Sequence, residues 1–142
     1  MGGLGLSFFV FLVLSQAVPH EFKDMRDSFL QSYYKTYPVN ATWIGVHDYD
    51  EALTDYSAEA IQSRAVYLQE LSADVQALDA DRLSRDDRID YEIMLDAIRS
   101  ELFDLLELKE YSWNPLLYMG ELGFAFESLT GFDFAPADAR AA

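Results

Sequence analysis

The segment Pro115 to Leu129, PLLYMGELGFAFESL, constrains this chain more than any other. Asn114-Pro115 sets a helix start, because proline at the first helical position forfeits no hydrogen bond. The only charges in the helix are Glu121 and Glu127. Six residues at about 100° each set them about 240° apart around the axis, so they do not build one broad wet face. A helix that is apolar nearly all round is a buried one. The segment is also too short, with two carboxylates, to cross a bilayer. Its neighbours in the fold must therefore cover it.

The rest of the chain supplies helices with one stripe each. Phe22, Met25, Phe29, Tyr33 and Tyr37 step by three or four residues from Glu21 onward, which predicts one face of a helix that Pro38 ends. Residues Asn40 to Ile44 predict a single helical turn. Ser57 reads as an N-cap, with Glu59 near the positive helix end. Ile61, Ala65, Leu68, Leu71, Val75 and Leu78 follow as a stripe. Ser84-Arg85-Asp86-Asp87 is a capping-box-like start with Asp in the place of Glu. Tyr91, Leu95, Ile98, Leu102 and Leu105 then repeat at helical spacing, widened by Met94 and Leu106. Two such helices with a short connection predict an αα-hairpin. No stretch alternates as a strand would. The predicted class is all-α: an N-terminal helix, an αα-hairpin and a further buried helix.

Two stripes are little cover for Pro115 to Leu129. Ala137 to Ala142 reads as the first turns of another helix without a closing signal. We therefore expect residues 18–142 to be the N-terminal part of a larger domain, incomplete at its C-terminus.

The chain has 142 residues, enough for one domain with a core. Ten Lys and Arg stand against 25 Asp and Glu, a formal charge of −15. That balance argues against nucleic acid and anionic lipid as partners, since both need a basic surface. There is no cysteine, which removes disulfides and thiolate metal sites. Leu4 to Leu14 is an apolar run followed by Ser15-Gln16-Ala17, a small-x-small pattern. It reads as a signal peptide over residues 1–17, cleaved before Val18-Pro19, with export to the periplasm or the extracellular space. No Lys or Arg precedes the run, and an uncleaved anchor or a buried helix are the other readings. Once the signal is removed, no membrane span is expected.

Thr36 to Ser57 gathers one His, three Asp and one Glu. His47, Asp48 and Asp50 are weak candidates for a metal. Neighbouring residues in an extended segment point to opposite sides, so His47 and Asp48 would need a tight turn to converge. The glycine and terminal Glu of a calcium loop are missing. His20 stands just after the expected cleavage point. Turn and cap chemistry explains the acids better, with Gly45 free to take a positive φ and the acids capping helices or bridging to Lys35 or Arg64. Tyr49 and Tyr56 are expected to pack their rings on neighbouring helices. Asn40-Ala41-Thr42 matches the glycosylation sequon, with turn and helix-cap chemistry the favoured role. Glu101, Asp104 and Glu107 read as a solvated face. No catalytic residue and no cofactor-binding residue is assigned.

The order of these pieces resembles the DUF885 family. The residues that carry the resemblance are the Tyr-Pro, Ala-Thr, Ile-Gly and His-Asp-Tyr-Asp progression of "YYKTYPVNATWIGVHDYDEALTDYS", the hairpin with Asp90-Tyr91, and Asn114-Pro115 with "LTGFDFAPADARAA". The resemblance implies a large helical zincin-like metallopeptidase, with zinc as cofactor and a peptide as substrate. Its H-E-x-x-P-G-H type motif would lie far downstream, so no zinc ligand transfers to this chain. It also implies that the partner of this segment is the missing C-terminal part of its own chain. The alternative is a small exported acidic helical binding module with no catalytic activity.

Overall fold

A computed structural model describes residues 4–131, and within them the side chains of 18, 20–128 and 130. The helix expected at Ala137 to Ala142 lies outside the described residues. The described residues are mostly helical and contain no strand. Its elements are α1 (Leu4–Thr36), α2 (Pro38–Trp43), α3 (Ala58–Ala77), a 3-10 turn (Ala80–Arg82), α4 (Arg85–Phe103), a π-helical turn (Asp104–Leu108), α5 (Glu110–Trp113) and α6 (Pro115–Gly131). The all-α class stands. One bound differs from expectation: α1 begins at Leu4 rather than near Glu21, because the apolar run before it is itself helical. No described helix is long and apolar enough to cross a membrane.

Two compact units divide the chain. One comprises the residues up to Gln31 with Ser57–Lys109; the other comprises Ser32–Tyr56 with the residues from Glu110 onward.

The first unit is a helical bundle. Phe22 and Phe29 of α1, Ala65, Leu68, Leu71 and Val75 of α3, and Met94, Leu95 and Ile98 of α4 are buried in one cluster with Leu105. Met25, Ile61, Leu78, Tyr91, Leu102 and Leu106 pack on it. Ion pairs set the helix directions. Lys23 reaches Asp87 at 3.8 Å and Arg26 reaches Asp90 at 3.1 Å. Both pairs advance together along the chain, so α1 runs parallel to α4. Arg64, early in α3, pairs with Glu101, late in α4, so the hairpin is antiparallel. Both predicted caps form. Ser57 Oγ accepts from the Ala60 N–H. Ser84 Oγ accepts from the Asp87 N–H at 3.1 Å and donates to Asp87 Oδ2 at 2.7 Å.

One expectation fails in this unit. Glu101 is not on a wet face: its side chain is 12% exposed and holds Arg64, itself 5% exposed, through Nε–Oε1 at 2.7 Å and Nη2–Oε2 at 2.9 Å. Arg64 bridges Glu101. Its guanidinium stacks between the rings of Phe29 and Tyr67, a weakly hydrated planar cation among aromatic faces. The end of α4 also departs from regular geometry. Asp104–Leu108 is π-helical, and Lys109, at φ 52° and ψ 42°, closes the turn by donating to Asp104 O at 2.8 Å.

In the second unit α2 and α5 pack on α6. Asn114 caps α6 through Oδ1 to the Leu116 N–H at 3.1 Å, with Pro115 at the first helical position as expected. The burial expected for α6 is met on one side only. Ser128 is buried and Leu117, Glu121 and Ala125 are half-buried. Leu116, Met119 and Phe126 remain 69%, 68% and 72% exposed.

Candidate functional site

The loop between α2 and α3 is shaped first by the end of α2. Gly45 takes φ +89°, the left-handed conformation that costs glycine nothing. The Val46 N–H then reaches back to Ala41 O at 2.9 Å and the Gly45 N–H to Thr42 O at 3.0 Å. These are the two bonds of a Schellman motif, and they turn the chain sharply out of the helix.

The turn brings His47 and Asp50 over Thr42. His47 Nδ1 lies 3.1 Å from Asp50 Oδ2. The buried Thr42 hydroxyl lies 2.7 Å from Asp50 Oδ1 and 3.1 Å from Pro38 O. Its single proton serves the shorter, charged acceptor. The carboxylate therefore gathers a hydroxyl and an imidazole into one knot. Asp48 is exposed and is not brought to this point. Of the three candidates, the structure unites His47 and Asp50 and leaves Asp48 aside, since a one-residue step turns the side chain away. His20 is paired with Asp24 along α1 at 2.9 Å. Among the described residues no group of three or more His, Asp or Glu converges as a metal ion would require.

The far end of the loop is held by a residue that sequence reasoning treated only as an interruption in an apolar helix. Glu121 Oε1 accepts from the Thr54 N–H at 3.0 Å and from Thr54 Oγ1 at 2.6 Å. Two aromatic pairs flank it. Tyr56 meets Tyr118 edge to face with ring centroids 5.2 Å apart, and Trp43 meets Phe124 likewise at 5.8 Å. Burial pushes the Tyr56 phenol above its ordinary range, and the Glu121 charge adds to the shift, while the hydrogen bond with Thr54 opposes it. A signal did exist: a lone carboxylate in an apolar helix needs donors when it is drawn inward. What the sequence did not reveal was which donors.

Asn40 is exposed, and its amide donates to the Tyr33 hydroxyl at 3.2 Å. It neither caps a helix nor makes a turn; Thr42 of the same sequon is the residue tied into the loop.

Chemically, the arrangement is a scaffold. The imidazole faces a carboxylate, and the nearby Thr42 hydroxyl is bonded to that same carboxylate. Residues 38–142 match the family model described as "Bacterial protein of unknown function (DUF885)". The chain belongs to the DUF885 family. The DUF885 match opens at Pro38, the first residue of α2, and so takes in the His47–Asp50 knot, the Thr54–Glu121 joint and the whole hairpin. No curated protein and no solved structure matches the chain.

Proposed function

We propose that this DUF885 chain is the N-terminal helical segment of an exported zinc-dependent peptidase, with the catalytic motif and the zinc ligands in a later part of the polypeptide. Residues 1–17 act as its cleaved signal peptide, and residues 18–142 support the fold and wall the substrate cleft. The ordered motifs from Tyr37-Pro38 to Asn114-Pro115 support the class of chemistry by resemblance. The observation that carries the segment's role is the bare apolar side of α6, where Leu116, Met119 and Phe126 face outward. Such a surface on a helix is cover awaiting a counterpart. No reaction step runs through the residues described above.

The test is made on the full-length gene product. Purified protein is expected to carry zinc near one equivalent, to cleave a peptide library, and to lose that cleavage on substitution of either His of a downstream H-E-x-x-P-G-H motif. A reading frame without that motif, or cleavage that survives loss of both His, would sink the proposal. A stop directly after Ala142 in the intact gene would favour a small binding module instead. Export is tested separately, by N-terminal sequencing of secreted protein, with Val18 the expected first residue.

A further inference from the structure

We draw no further inference here: the strongest candidate, the surface patch that Leu116, Met119, Leu122 and Phe126 form on the exposed side of α6, is an unpartnered apolar face, and nothing in the structure shows what covers it.

Discussion

Glu121 and Thr54, 67 residues apart in the chain, share one oxygen: the carboxylate Oε1 accepts both the backbone N–H and the side-chain hydroxyl of Thr54. A single acid of an apolar helix thereby fixes the end of the loop that carries the His47–Asp50 knot.

Removal of that acceptor should loosen the second unit. Glu121→Leu leaves the Thr54 N–H without its partner and should cost about 1–3 kcal/mol. Glu121→Gln keeps a carbonyl oxygen and should cost less. Trp43 and Trp113 are the two tryptophans of the chain, and both belong to this unit. Urea unfolding followed by tryptophan fluorescence therefore reports it directly. Equal midpoints for the leucine variant and the parent would contradict the role given to Glu121.

The Arg64–Glu101 pair makes a different prediction for the first unit. Glu101→Ala takes a carboxylate away from a guanidinium that is 5% exposed, and breaking one partner of a buried pair costs about 3–5 kcal/mol. The double change Arg64→Met with Glu101→Leu removes both charges and should recover most of that loss, because neither desolvated ion remains. Far-UV circular dichroism in a denaturant series measures both. A double variant no better than Glu101→Ala would show that the site needs the charges themselves.

Alkaline pH should act through Tyr56. Its folded pKa is raised above the ordinary 10.0, chiefly by burial and then by Glu121. A raised pKa means that the folded state holds the proton more tightly than the unfolded chain. The associated stability is intact below the unfolded value and is lost as pH climbs through the folded one. Stability should therefore fall above pH 10, and Tyr56→Phe should soften the fall. The tyrosinate absorbance of the variant, subtracted from that of the parent, should isolate one phenol titrating later than the ordinary value. A difference curve at or below that value would refute the assignment.

At the start of α4 the Ser84 hydroxyl both accepts from Asp87 N–H and donates to Asp87 Oδ2. Ser84→Ala should lower stability by about 1 kcal/mol, as cap removal does. Ser84→Asp retains an acceptor but sets a second carboxylate beside Asp87, so it should restore only part of the loss. Thermal unfolding at neutral pH ranks the three proteins.

Much of the architecture was legible in the order of residues alone, because its causes are local. The stripe from Ile61 to Leu78, the caps at Ser57 and Ser84, the proline start at Pro115 and the turn at Gly45 each depend on a few neighbours and on backbone sterics. They appear in the structure where periodicity and capping chemistry placed them. The pairings are another matter. Charge pattern put Glu101 on a wet face, yet across 37 residues it meets Arg64 in a nearly dry pocket between Phe29 and Tyr67. Asp48 and Asp50 look alike in sequence, and only the turn out of α2 decides that Asp50 meets Thr42 and His47. Helix period and capping are properties of adjacent residues, whereas the partner of a buried charge is chosen by whichever distant helix packing brings within hydrogen-bond reach, and that choice exists only once the chain has folded.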